Sequence, residues 1–179
     1  RMDVTELGLH RRAAARGLRW GGLLGAGVVV AVLGASFVPA AADAFAAAGV
    51  DLDAGGVAWR VFVVIPLGTV LLEELAFRGV LWASLRRWCS SVWTLAISSV
   101  LFGLWHIPPA LADVATGEGP TATTGDLGAG PNVAGTVLAT TVAGVVFGWL
   151  RLRTDSLWAP MLVHAAVNTS SLVAAAALS

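Results

Sequence analysis

Long apolar runs, broken by short clusters of arginine, aspartate, glycine and proline, set the pattern of this 179-residue chain. A bilayer core of about 30 Å takes around 20 helical residues to cross. Five runs reach about that length: about Trp20–Ala41, Ala58–Leu85, Val92–Ala112, Asn132–Leu150 and Leu157–Leu178. They predict an all-α, polytopic transmembrane bundle, with residues 1–179 forming a single integral-membrane domain free of internal repeats. The second run is overlong and should tilt or project past the bilayer. Ala44–Val50 is apolar but too brief to span, so it reads as an interfacial piece, and Gly117–Pro131 reads as a flexible loop. RRAAARGLRW, Gly21–Phe37 and VPAAADA resemble a signal peptide with a small-residue site near Ala40–Ala42. The apolar run is long for an h-region of about 7–15 residues, and an uncleaved first span is expected.

Composition sharpens this picture. The chain is 57% hydrophobic and 12% charged, against about 25% charged in a soluble domain, so it lacks the polar surface to coat a water-soluble globule. Its zero net charge argues against a nucleic-acid partner; lipid and a membrane-associated protein or peptide are the partners expected. All eleven basic residues are arginine. With heavy Ala and Gly usage, that suggests a GC-rich bacterial genome and a multi-pass protein of the bacterial inner membrane. Arg1, Arg11, Arg12, Arg16 and Arg19 precede the first span, Arg86 and Arg87 follow the second, and Arg151 and Arg153 follow the fourth. Asp43, Asp51, Asp53, Asp113, Glu118 and Asp126 fall on the other side, with Arg60 opposing them. The positive-inside rule then puts the N-terminus in the cytoplasm and the C-terminus outside. Trp20, Trp88, Trp93, Trp149 and Trp158 cluster near the inner interface, as an aromatic belt should. Cys89 is the one cysteine, so it forms no intramolecular disulfide and reads as an inert interfacial thiol.

Six strongly polar side chains nevertheless lie inside spans: Glu73, Glu74, Arg78, His106, His164 and Asn168. Ionisable groups at membrane depth are costly and by default mark function. Counted from the arginine-rich end at about 1.5 Å per residue, Glu73 is about 20 Å deep, His106 about 24 Å, His164 about 17 Å and Asn168 about 22 Å. Three helices thus deliver polar groups to one layer, which a shared intramembrane site requires. Glu74 and Arg78 stand i,i+4 with the acid first, the better order for an ion pair, whereas Glu73 lies about 100° round the helix. His164 with Asn168, and Phe102 with His106, share faces in the same way. Pro108 and Pro109 should break or bend the helix just beyond His106. Each feature also has a plainer reading. Glu74–Arg78 could be a structural tie, and Gly21, Gly22, Gly25, Gly144 and Gly148 read as helix packing. His10, in the polar leader, is set aside.

These groups suit hydrolysis of an acyl bond. A desolvated carboxylate is a usable general base toward water, and an imidazole with a carboxamide on one helix face can donate to a developing oxyanion. No serine or cysteine stands beside a histidine as nucleophile; Ser98 and Ser99 lie roughly two turns from His106. Two histidines and a carboxylate could equally hold zinc through Glu73, His106 and His164. A transporter relay lacks its usual mark, inverted repeats with broken helices.

EELAFR (Glu73–Arg78), FGLWH (Phe102–His106) and HAAVN (His164–Asn168) resemble, in order, the motifs EExxxR, FxxxH and HxxxN. They are similar to those of the CPBP family, which gathers CAAX prenyl proteases of the type II endopeptidase kind with bacteriocin-processing and self-immunity (Abi-like) proteins. The resemblance spans about Ala58 to Leu178 and implies an all-helical intramembrane endopeptidase. On that basis Glu73 would activate water, His106 would position the water or bind a metal, and His164 and Asn168 would stabilise the oxyanion. Glu74 and Arg78 would organise the site, with Glu74 able to share the base role and Phe102 in support. The reading adopted is a glutamate-activated water with no firm cofactor, a zinc-dependent form being the alternative. A catalytically idle immunity or scaffold protein is the other. The chain is shorter than larger family members, so a cavity for a prenylated tail does not carry over with the motifs.

Overall fold

The computed structural model describes residues 3–117 and 128–179. Among these residues the chain is helical, without strands: α1 (Arg11–Ala35), α2 (Pro39–Ala46), α3 (Ala54–Leu85), α4 (Ser91–Trp105), α5 (Ile107–Thr116), α6 (Ala129–Thr154) and α7 (Trp158–Leu178). Five units are long and apolar enough to cross a membrane, namely α1, α3, α4 with α5, α6 and α7. The protein is therefore an all-α, polytopic helical bundle.

Boundaries differ from expectation where local chemistry intervenes. The first span ends at Ala35, six residues short of Ala41. There the Ser36 hydroxyl donates to the Leu33 carbonyl at 2.7 Å. Val38, forced into extended backbone (φ −94°, ψ 122°) by the proline that follows, starts α2 instead. The interfacial piece is thus Pro39–Ala46, and residues 47–50 lie beyond it. Only part of the expected Gly117–Pro131 loop falls among the described residues; Ala129–Pro131 open α6 rather than close a loop. Glu118 and Asp126 lie outside the described residues.

Helix α3 is 32 residues long, about 48 Å at helical rise and so longer than a bilayer core. Pro66 has no N–H, and the backbone around it takes wider i→i+5 hydrogen bonding over Arg60–Val70, as from Leu71 N–H to the Pro66 carbonyl. A second such stretch covers Leu75–Leu81. Glu73 and Glu74 sit in the short α-helical interlude between the two. Wide turns of this kind recur at functional sites.

Helix α7 is the axis of the bundle. It packs most extensively on α1, and also on α3 and α6, while α4 packs on α6. The α1–α7 contact is built on absent side chains. Gly17, Gly21 and Gly25 are buried, and a methyl added at Gly21 would come within 2.9 Å of the Ala159 Cα. Gly22, read from the sequence as a packing residue, faces open space: nothing lies within 4 Å of where its Cβ would be. Gly144 and Gly148 do pack, against Ser99 and against Leu95 with Trp82.

The leader is ordered onto the arginine-rich end of the bundle. Asp3 Oδ1 accepts from the Thr5 and Glu6 N–H groups, and Glu6 Oε2 accepts in return from the Asp3 N–H, a reciprocal capping arrangement. Both carboxyls are held below their ordinary range, chiefly by those backbone N–H groups. His10 has a structural part that sequence reading passed over. Its ring caps α1 by accepting from Ala13 N–H, and its Nε2 lies 3.4 Å from Asp155 Oδ2.

Candidate active site

Three charged residues of α3, Glu73, Glu74 and Arg78, are buried together. Glu74 and Arg78 are both 0% exposed, and Arg78 Nη1 donates to Glu74 Oε1 at 2.9 Å, one helical turn away. Leaving either charge alone in such a place would be expensive. The guanidinium gains further compensation from the Gly144 carbonyl at 3.3 Å and from the faces of Phe102 and Phe147, whose centroids lie 4.1 and 5.1 Å from Cζ. Gly144, without a side chain, lets α6 come close enough for that carbonyl to be reached.

From α7, His164 Nδ1 lies 2.8 Å from the same Glu74 oxygen. Beside a guanidinium Glu74 is a carboxylate, which can only accept, so Nδ1 carries the hydrogen. The imidazole is stacked on Phe147 (4.8 Å, 21°) and meets Phe102 edge-on (5.9 Å, 89°). Those contacts aim Nε2 at Glu73, whose Oε2 is 3.8 Å away. Glu73 is 7% exposed. Its Oε1 accepts from the Trp105 indole N–H at 3.2 Å, while Oε2 is buried with no hydrogen-bond partner among the described residues. Glu74 Oε1 thus takes two donors; Glu74 Oε2 is, like Glu73 Oε2, buried without a hydrogen-bond partner among the described residues.

His106 ends α4. The backbone turns at His106 itself (φ −86°, ψ 0°) and α5 begins at Ile107, so the break falls at His106 rather than just beyond it. Its Nδ1 lies 2.8 Å from the Phe102 carbonyl. A carbonyl only accepts, so Nδ1 is the donor and Nε2 keeps an acceptor lone pair. Phe102 is 1% exposed, 4.7 Å from the His106 ring, and packed among Phe147, Leu150, Ala159 and Val163. Asn168, one turn beyond His164 on α7, is half-buried.

The structure thus brings Glu73, Glu74, Arg78, Phe102 and His164 into one cluster, with His106 reached through Phe102. Asn168 lies on the His164 helix without a direct contact to the cluster among the described residues. Glu73, His106 and His164 do not assemble as a metal-binding set: among the described residues no three His, Cys, Asp or Glu side chains are grouped to hold an ion. Both histidines spend Nδ1 on other partners.

Three contributors escaped the sequence reading. Phe147 carries the imidazole stack, its only signal being an aromatic between Gly144 and Gly148. Trp105 binds Glu73, next to a histidine that drew the attention. Arg151 was assigned to the inner interface but is 4% exposed. It donates to the Arg78 carbonyl (3.2 Å), the Glu6 carbonyl (3.0 Å) and Asp155 (3.0 Å). Asp155, four residues on, was its available signal.

No curated protein and no solved structure matches the chain. Residues 55–170, more than half of it, match the family model for type II CAAX prenyl endopeptidases, Rce1-like. That stretch contains every side chain of the cluster, while α1 and α2 precede it.

Proposed function

The chain belongs to the type II CAAX prenyl endopeptidase family, and we propose that it hydrolyses a peptide bond of a membrane-associated or CAAX-like protein within a bacterial inner membrane, using water activated by Glu73. The observation that carries this reading is the placement of Glu73 Oε2: buried, without a hydrogen-bond partner among the described residues, and facing His164 Nε2 across 3.8 Å, whereas Glu74, whose Oε2 is also unpartnered, is tied to Arg78 and His164 through Oε1. A desolvated carboxylate oxygen with a free lone pair is what a general base needs.

In this reading Glu73 takes a proton from water as the hydroxide oxygen adds to the scissile carbonyl. His106, its Nδ1 tied to Phe102, presents Nε2 as acceptor to the second hydrogen and so orients the water. His164, once protonated on Nε2 as well as on Nδ1, donates from Nε2 to the oxyanion, with the Asn168 carboxamide as second donor. Glu73 then delivers its proton to the leaving amine, the C–N bond breaks, and a carboxylic acid and an amine leave. Glu74 and Arg78 hold His164 in place through its Nδ1. No step is routed through a metal; among the described residues no three His, Cys, Asp or Glu side chains are grouped to hold one.

The test is cleavage of a membrane-tethered peptide, with and without a prenylated cysteine, by protein reconstituted in liposomes. Glu73→Ala and His164→Ala should abolish cleavage while the helical content stays unchanged. Cleavage by both variants at the wild-type rate would refute the assignment. Dialysis against a chelator should leave activity intact; loss restored by zinc would replace the mechanism with a metal-dependent one.

A further inference from the structure

Trp105 has no part in the motif-based reading, yet among the described residues it makes the one hydrogen bond to the Glu73 side chain. The residue closes α4 immediately before the backbone turns at His106. About half of its surface, 52%, is exposed. The indole is edge-on to Phe77, one turn beyond Glu73 on α3, with centroids 6.1 Å apart at 67°. Its N–H points inward and donates to Glu73 Oε1 at 3.2 Å.

Glu73 has a flexible side chain, and nothing distinguishes its two oxygens chemically. They differ here because Trp105 occupies one. With Oε1 taken by the indole, Oε2 is left as the unpartnered oxygen facing His164 Nε2. We propose that Trp105 is a positioning residue: its indole N–H fixes the Glu73 carboxylate so that Oε2, and not Oε1, meets the water. This rests on the assignment of Glu73 as the base. The break at His106 is part of the device, since it ends α4 where the indole can reach across to α3. A tryptophan N–H at membrane depth also needs an acceptor for its own sake. A purely structural bond and a positioning bond therefore have to be told apart by kinetics.

Trp105→Phe keeps the aromatic contact with Phe77 and removes only the donor; Trp105→Gln loses the ring and keeps a donor. The expected result on the reconstituted enzyme is a fall in kcat of about 10- to 100-fold for Trp105→Phe, the scale of a misplaced catalytic group, with KM within about twofold. Trp105→Gln should recover part of that loss. An unchanged kcat for Trp105→Phe, or a change confined to KM, overturns the proposal. Thermal unfolding of each variant separates misfolding from a catalytic effect, and Trp105→Gln restoring kcat in a less stable protein would still support positioning. A second measurement reads the bond without turnover. The Trp105 indole 15N–1H resonance, identified by its loss in Trp105→Phe, should shift in Glu73→Leu. No shift means that no bond joins the two residues. If Glu73 variants retain activity while this resonance still responds to them, the base assignment has failed and the contact stands as structural.

Discussion

Helix α7 is gripped from two sides by opposite means. Against α1 it meets Gly17, Gly21 and Gly25, so two backbones approach closely and only dispersion and small-residue fit hold them. Against α3 it meets Glu73, Glu74 and Arg78, where His164 closes a network of charges that cannot be separated cheaply in hydrocarbon. The α1 half of the first interface lies outside the stretch that matches the family, whereas both halves of the second lie within it. The difference suggests a division of labour: α1 holds α7 in place, and α3 uses it. Variants on the two sides should therefore fail differently.

The largest effect is expected on catalysis at the α3 side. Glu73→Gln, nearly isosteric, should cut cleavage by about 10²–10⁴-fold, the contribution of a general base, with little change in unfolding. Next is the effect on stability at the same interface. Arg78→Met leaves Glu74 buried without its counter-charge and should cost about 3–5 kcal/mol, measured by denaturant unfolding in detergent. Glu74→Gln added to Arg78→Met should recover much of that, which a simple loss of packing would not allow. On the α1 side, Gly21→Val should cost about 1–3 kcal/mol by overpacking, with cleavage per folded molecule unchanged; Gly22→Val, facing open space, should be silent. A fall in kcat for Gly21→Val would dissolve the contrast between the two interfaces.

The smallest effect belongs to the leader. The Asp3 and Glu6 carboxyls sit below their ordinary values of 3.8 and 4.5 because backbone N–H groups favour their charged forms. Groups depressed on folding stabilise the folded state above the unfolded value and lose that contribution as pH falls through the folded value. Unfolding followed from neutral pH downward should show this small loss only below about 4.5, and Glu6→Gln should remove its share. Both groups are solvent-exposed, so the shift should be near the limit of detection.

How much of this was readable beforehand depended on range. Spans were legible because twenty apolar residues in a row leave few alternatives, and the α3 ion pair because i,i+4 neighbours meet in any helix. The gathering of Glu73, Glu74 and His164 could be anticipated from depth alone, since membrane helices share a common axis. Depth says nothing about rotation, however. It therefore could not tell that His164 would bind Glu74 through Nδ1 and only approach Glu73. It could not show that Arg151 would turn inward to the Arg78 carbonyl, nor that the indole of Trp105 would face α3. The break at His106 was placed a residue or two late, because proline marks where a helix cannot continue and not where the chain has already turned. Gly22 was misjudged for the same reason as the others: which face of α1 meets α7 is decided by a partner nearly 140 residues away.

The position of His164 along the chain has a consequence for biogenesis. When α3 leaves the ribosome Glu73, Glu74 and Arg78 enter the membrane together, and the groups that complete the site, Phe147 and then His164, are still unsynthesised. Until more than 160 residues have been made, Glu74 has only Arg78 to balance it and Glu73 has no imidazole to work with. If Glu73 and His164 act as proposed, a protease assembled in this order is inert as a nascent chain, and it gains its cutting edge only when the helix that α1 has been waiting to receive arrives.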